Sequence, residues 1–481
     1  MATASISAAR NRCRRSRLLT VLMAAIAAVV VPIGVATPAL AAPAVTVLGN
    51  TVLDSAGLYF VSYDGLVNNE SFQQNGIVSF AGYQYAAWYR SNRNAVLARR
   101  SLPSGGWQTL QLSHQLSTDD SHNVISLGIS PADGRLHVAM DTHNTRVFYL
   151  RSVAGLASSP ASHSWTIAEF GAEQRTLGGL ELGSITYPQF AITPQNRLQL
   201  SYRTGGSGNG VNDIAEYNGG TWTALGAWTS ATGSYSANSA TSTTRNMYLH
   251  GFTYAGNRLH ATYTWREGNT AVLCNQGGLA NHDTGHVYSD DSGRTWRNDA
   301  GTVVGTIGSG QLVNVSSPGT VVDPLSVDHA LMNQESQAVD AAGQIHAVIS
   351  YVPGRFTQCV SSYAAQRTSS GRDFHLYRDT SGWHKVEIPV APNSTGRSQL
   401  VFDSADNAYV VMPFGRIITA SKASNWTDWT VRYDGAGLNA FGEVIVDRSR
   451  LASERVLSIL YQQRSTGTTP SAVRVLDVRL G

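Results

Sequence analysis

Apolar and polar residues alternate in short runs along almost the whole chain, and each run opens on a turn. AGYQYAAWYR (81–90), DGRLHVAMD (133–141), QNRLQLSYR (195–203) and GNRLHATYTW (256–265) are four such runs. AGQIHAVISY (342–351), DNAYVVMPF (406–414) and SERVLSILY (453–461) are three more. Period-two alternation bounded by Gly, Asn, Asp and Ser predicts half-buried β-strands, and long helix-period stretches are absent. A second phrase falls between the runs, a Gly- or Ser-rich turn followed by Trp. Trp107, Trp165, Trp222, Trp296, Trp383 and Trp429 mark it. The repeat distance, roughly 50 to 85 residues, is on the scale of a β-propeller blade. One blade alone cannot bury both faces of its sheet, whereas blades stacked around an axis can. The expected fold is all-β, a seven-bladed β-propeller. Its opening segment AVTVLGNTVL (44–53) and closing strand SAVRVLDVRL (471–480) are expected to pair and so remove the free edges of the ring.

The stretch between Asp120 and Asn144 carries the densest candidate chemistry. Asp-Ser-His-Asn at 120–123 returns as Asp-Thr-His-Asn at 141–144, and the alternating VISLGISPADGRLHVAMD lies between them. That pattern predicts a β-hairpin turning at Pro131-Ala132-Asp133-Gly134. With Ala132 and Asp133 as the central turn residues, His122 stands opposite His143 at the open end. Directly opposed residues sit roughly 4.5–5.5 Å apart. The next hairpin, turning at Thr193-Pro194-Gln195-Asn196, relates Tyr187 to Arg203 in the same way. Two adjacent blades then present His, His, Tyr and Arg at strand ends. Arg neutralises a carboxylate with its bidentate fork, while His and Tyr exchange protons. Those are the roles that β-elimination of a uronic-acid chain requires. Glycoside hydrolysis instead uses paired carboxylates in most families, and no closely spaced pair joins these strand ends.

Residues 1–41 read as a secretory signal peptide: a basic start with Arg10, Arg12, Arg14, Arg15 and Arg17, an apolar core, then Ala39-Leu40-Ala41. The mature chain is expected to run from residue 42 to 481 as a single catalytic propeller domain outside the cell. Removing five arginines and no acids takes the formal charge from +3 to −2. That gives no reason to expect a nucleic-acid or anionic-membrane partner. No other segment is long and apolar enough to span a bilayer, and a monomer is expected. Two cysteines remain, Cys274 and Cys359, which permits one disulfide.

Ser289-Asp290-Asp291-Ser292-Gly293-Arg294-Thr295-Trp296 matches the Asp-box pattern Ser-x-Asp-x-Gly-x-Thr-Trp of sialidase-type propellers. In that pattern the Asp and Gly build a hairpin turn and the Trp packs between strands, so no catalytic role is expected there. Taken with RNAVLARRSLPSGGW (93–107), WREGNTAVLCNQGGLANHDTGHVYSDDSGRTW (265–296) and MNQESQAVDAAGQIH (332–346), the chain resembles the secreted, seven-bladed, sialidase-like polysaccharide lyases. These include ulvan lyases and the rhamnose–glucuronate lyases that act on gum arabic.

The resemblance implies cleavage of a uronate-containing polysaccharide by β-elimination, leaving a 4,5-unsaturated uronate. It makes His122, His143, Tyr187 and Arg203 the catalytic set. Arg203, aided by a histidine and Asn123, is expected on the carboxylate. Tyr187 is the preferred base at C5 and acid at O4, with His122 or His143 the rival for either step. Asn144, Asn333, Gln334 and Gln337 are expected sugar contacts. No cofactor is required for the chemistry. Relatives of this kind can hold a structural zinc or calcium. Cys274, His282, His286 and Cys359 are the candidate ligands, with a Cys274–Cys359 disulfide as the rival. A sialidase-like hydrolase and a non-catalytic carbohydrate-binding propeller are the alternative functions. The first would need an early Arg-Ile-Pro phrase, which this chain lacks.

Overall fold

Short alternating strands bury their apolar faces by stacking sheet on sheet, and this packing continues around the whole molecule. The structure, a computed structural model, describes residues 43–73 and 75–481, so the expected signal peptide at 1–41 lies outside the described residues. The first sheet runs Ile77–Phe80, Tyr83–Tyr89, Asn94–Ser101, Gln108–Gln115, each strand beside the next. Three strands, Ile125–Ile129, Leu136–Met140 and Phe148–Arg151, form the second. Ile185–Ile192, Leu198–Gly206, Asn209–Tyr217 and Trp222–Ala227 form the third. Two further four-stranded sheets occupy residues 336–387 and 399–433. The last joins Val45–Gly57 to Ser471–Leu480, Val456–Gln462 and Ile445–Val446.

Six sheets are therefore blade-like, and the expectation of seven equivalent, sialidase-like blades is corrected. Between residues 232 and 323 the chain builds an eight-stranded, branched sheet instead of a blade. The sheet curls, because Thr229, just before its first strand, bridges to Val313, beyond the strand Val303–Thr306. The seven strand phrases do fold as strands, and GNRLHATYTW lies within this sheet as Arg258–Glu267. Each phrase marks one strand of a sheet and is blind to how many others join it. That is why counting phrases overstates the blades.

Apolar clusters cross several junctions between neighbouring sheets. Leu97 and Ala95 of the first sheet pack with Leu127 and Val138 of the second. Val401 and Tyr409 pack with Leu457 and Val478. Ile77, Trp88 and Val96 of the first sheet meet Ile445, Leu460 and Val475 of the last. The terminal segments pair antiparallel from Val45↔Leu480 to Gly57↔Ser471, as the alternation of both predicts. The Asp box folds as a turn. The Asp291 carboxylate accepts hydrogen bonds from Ser289 Oγ at 2.7 Å and Thr295 N at 2.8 Å, and Trp296 is fully buried against Trp228.

Residues 58–75 leave the closing strand and run across to the site. Asn68 donates to Tyr89 O and Asn69 donates to Glu443 O, pinning the segment between the first and last sheets. Gly65 is required there: a Cβ would fall 1.4 Å from Glu70 Oε1. At its far end Asn75 O accepts from Leu127 N, and Asn75 Oδ1 accepts from Phe190 N. Phe72, between these anchors, is carried into the site.

Cys274 and Cys359 form a disulfide across 85 residues of sequence. Closing a loop of that length stabilises a fold by about 4 kcal/mol in the chain-entropy account. Reduction, or Cys274→Ala with Cys359→Ala, should lower the thermal midpoint by several degrees in a circular-dichroism melt. An unchanged midpoint would show that the surrounding loops already hold this region closed.

Candidate active site

The predicted hairpin register is observed, with Ile125 paired to Met140 and Ile129 to Leu136. The ladder stops there, short of both histidines. His122 lies in the turn leading into the hairpin. His143 opens the strand His143–Thr145, which leaves the second sheet and pairs with Thr186 of the third. The two imidazoles nevertheless stack, with centroids 4.6 Å apart and planes 24° from parallel. Asp120 brings this about. Its Oδ1 accepts from His122 Nδ1 at 2.7 Å and its Oδ2 accepts from His143 Nδ1 at 2.6 Å.

Burial alone would raise the Asp120 carboxyl, but the hydrogen bonds from His122 and His143 outweigh it and hold the group well below the usual range. An ionised Asp120 requires hydrogen on both Nδ1 atoms, which fixes Nε2 as the acceptor of any imidazole of the pair that is neutral. Burial lowers the His122 pKa, with His143 and Arg397 adding to the effect against the opposing pull of Asp120. His122 is therefore neutral at physiological pH.

Tyr187 is delivered by a bulge. Thr186 pairs with Arg203 and Gln189 with Ser201, leaving Tyr187 in the register shift between them. Its φ is 58°, in the left-handed region and immediately before Pro188, an uncommon conformation for a non-glycine residue. Such a bulge re-aims a side chain out of its ladder. Asp141, Asn144 and Gln334 also have positive φ, so backbone strain gathers around the site. Tyr187 lies 6.0 Å from the His122 ring and 6.1 Å from His143, and Phe72 packs edge-on against it at 5.2 Å.

Arg203 lies beneath Tyr187, its guanidinium 4.9 Å from the ring centroid, and is 3 % exposed. It donates from Nη1 to Tyr248 Oη at 3.3 Å, its Nε has no partner, and no ion pair holds it among the described residues. A buried guanidinium without a counter-ion is expensive. Tyr187 and Tyr248 titrate together. Burial and the neighbouring Tyr248 push Tyr187 far up. In Tyr248 the cations Arg203 and Arg266 and hydrogen bonds outweigh burial and hold the hydroxyl below its ordinary value. Phe72, Tyr187, Arg203, Tyr248 and Gln334 line one cleft.

Three of these neighbours escaped the sequence. Tyr248 ends an ordinary alternating strand, Phe72 sits in an irregular segment, and Arg397 comes from a distant sheet. Arg397 stacks on Phe72 at 5.3 Å, donates to Asn333 O and Oδ1, and pairs with Glu443 at 2.8 Å. It therefore supports the site and has no free fork. Asn333 is committed to Arg397, and Gln337 binds the Thr262 backbone and hydroxyl, so both do structural work here. Gln334 faces the cleft. Asn123 is buried, its amide donating to Thr118 Oγ1, with Oδ1 unpartnered among the described residues. Asn144 is exposed, and its backbone N–H is held by Thr186 Oγ1.

The candidate metal set is not brought to one point. Cys274 and Cys359 are bonded to each other. His282 is held by Glu267 and Asp283, which raise its pKa over the opposing effect of burial. His286 bridges His260 and Asp299. The group that could hold a cation is Asp120, His122 and His143, whose ligand atoms lie within 4.8 Å of one another. The 2.6–2.7 Å contacts there fit a hydrogen-bonded triad.

Residues 83–391 match the model of the BNR repeat-containing family, and the chain belongs to that family. It is 23 % identical over 459 residues to the ulvan lyase, long isoform, of Pseudoalteromonas sp. (strain PLSV). That match covers 86 % of this chain and 43 % of the relative, so the chain spans less than half the length of such relatives. The crystal structure of polysaccharide lyase Uly1 superposes with a TM-score of 0.69 at 18 % identity, over 90 % of this chain and 99 % of that one. A PL25 ulvan lyase bound to -[GlcA(1-4)Rha3S]- gives 0.58 at 11 % identity, over 89 % and 95 %. These likenesses establish the shared fold.

Asp120→Asn keeps the shape of the carboxylate but lets one imidazole change tautomer. It should lower kcat by about 10²-fold or more through lost orientation, with little change in the melting curve. Wild-type turnover in this variant would remove Asp120 from the site.

Proposed function

We propose that this chain is a secreted polysaccharide lyase that cleaves a uronate-containing polysaccharide by β-elimination. The single observation carrying this reading is Arg203, a buried guanidinium without a counter-ion among the described residues, in a cleft shared with Tyr187, whose ring lies 6.0 and 6.1 Å from those of the two oriented histidines. A substrate carboxylate supplies the missing charge. Neutralising that carboxylate acidifies the hydrogen at C5 of the uronate.

An imidazole Nε2 of the His122–His143 pair takes this hydrogen as a proton, and the C5 electrons form the C4–C5 double bond as the C4–O4 bond breaks. Tyr187, held as a phenol by its raised pKa, donates its proton to the departing O4. The imidazolium and tyrosinate then exchange a proton, directly or through water, and the resting state returns. Tyr187 is thereby assigned the acid role, and the histidine pair the base role. Rhamnose–glucuronate linkages, of the kind found in ulvan and gum arabic, are the substrate class favoured by the family likeness. No helix among the described residues is long and apolar enough to cross a membrane, which is compatible with action outside the cell.

Digestion of ulvan, gum arabic and simpler uronans, followed by near-ultraviolet absorbance of the conjugated product, tests the reading. No absorbance from any of them, or reducing sugar released without it, would overturn it. Tyr187→Phe should lower kcat by about 10²- to 10⁴-fold with KM nearly unchanged, whereas Arg203→Ala should damage both.

Protonation of His122 removes the base, and its pKa is depressed from 6.5. The acid limb of kcat/KM should therefore fall below pH 6.5. A limb above that value would assign the base elsewhere.

A further inference from the structure

The segment that brings Tyr63 to the site has a second face. Tyr63 packs edge-on against His122 at 4.5 Å and is 70 % exposed. The neighbouring residues Val61 and Asp64 line an open groove of about 710 Å³ that the proposed chemistry does not use. Phe414, Phe441, Arg464, Ser394 and Thr395 also line it.

Tyr63 links this groove to the site, since its ring packs on His122 while its chain neighbours line the groove. The 58–75 segment spans both, and Thr395 lies two residues before Arg397, which supports Phe72. Its walls are well fixed. Tyr59 donates to Ser465 O at 3.1 Å and packs edge-on against Phe441, while Phe414 N donates to Gly442 O at 2.7 Å.

The chemistry of the walls is that of a charged sugar chain. Phe414 and Phe441 offer aromatic surface to the apolar C–H faces of pyranose units. Asp64, Ser394, Thr395 and Ser465 offer polar groups to hydroxyls. Arg464 is exposed, stacks over Phe414 at 5.4 Å, and makes no ion pair among the described residues. A guanidinium placed over a ring and making no ion pair suits an anionic substituent.

We propose that this groove binds sugar units of the same anionic polysaccharide beyond the residue being cleaved, with Arg464 holding a distal carboxylate or sulfate. The inference rests on the lyase reading for the identity of the polymer.

Arg464→Gln and Phe414→Leu, each checked for a wild-type melting curve, are to be compared with the wild-type full chain on ulvan and on its purified tetrasaccharide. The expected result is a fall of about tenfold in the ratio of kcat/KM on polymer to that on tetrasaccharide, carried by KM. A ratio unchanged in both variants overturns the proposal. Should the wild type cleave no uronate polymer, the lyase reading fails separately, and retardation in ulvan-containing gels decides the groove. Retardation weakened by the substitutions upholds it, and unchanged or absent retardation refutes it.

Discussion

Closure of the ring is the constraint on which the other features depend. A short sheet with two apolar faces is stable only between two neighbours, and a linear stack would leave its end sheets uncovered. Hydrogen bonding of Val45–Gly57 to Ser471–Leu480 meets this condition by making both ends of the chain parts of one sheet. Packing of Ile77 and Trp88 against Leu460 and Val475 completes it. The same closure lets residues 58–75 start from the last sheet and reach the second and third. A segment anchored at both ends can carry Phe72 into the site without a strand of its own.

The site is assembled from handovers between sheets. Asp120 and His122 belong to the approach to the second sheet, while His143 has crossed to the third, where it pairs beside Thr186. One carboxylate then fixes both imidazoles. Tyr187 comes from a bulge and Arg203 from the adjoining regular strand, so the phenol and the guanidinium have different backbone support. Leaving Arg203 without a counter-ion sacrifices stability that Arg397, closely matched to Glu443, retains. The proposed carboxylate-binding role of Arg203 rests on that contrast between two buried arginines.

Much of this was legible in the residue pattern, because alternation reports which strand faces are buried. The hairpin register through Ile125 and Met140 and the Asp-box turn follow from local spacing, and the pairing of the terminal strands follows from their alternation together with the need to close the ring. Tyr187 was displaced by one position from the simple register, since a bulge adds a residue without altering alternation on either side. Tyr248 and Arg397 carry no local signal. Their importance arises from contacts with residues 45 or more positions away. Cys274, His282, His286 and Cys359 have plausible ligand chemistry, but sequence spacing says nothing about direction, and their side chains meet different partners. The blade number was misread for a related reason: strand additions between residues 232 and 323 alter the sheet without adding a strand phrase.

Trp228 and Trp296 stack with centroids 4.0 Å apart and planes 19° from parallel, both fully buried beneath the Asp box. Two indoles this close couple their electronic transitions, so the curled sheet contains its own chiral chromophore. The contribution of that pair is tied to the packing of one sector, while the signal of the peptide backbone averages over the entire ring. The molecule therefore distinguishes optically between loosening of its irregular sheet and collapse of the regular ones.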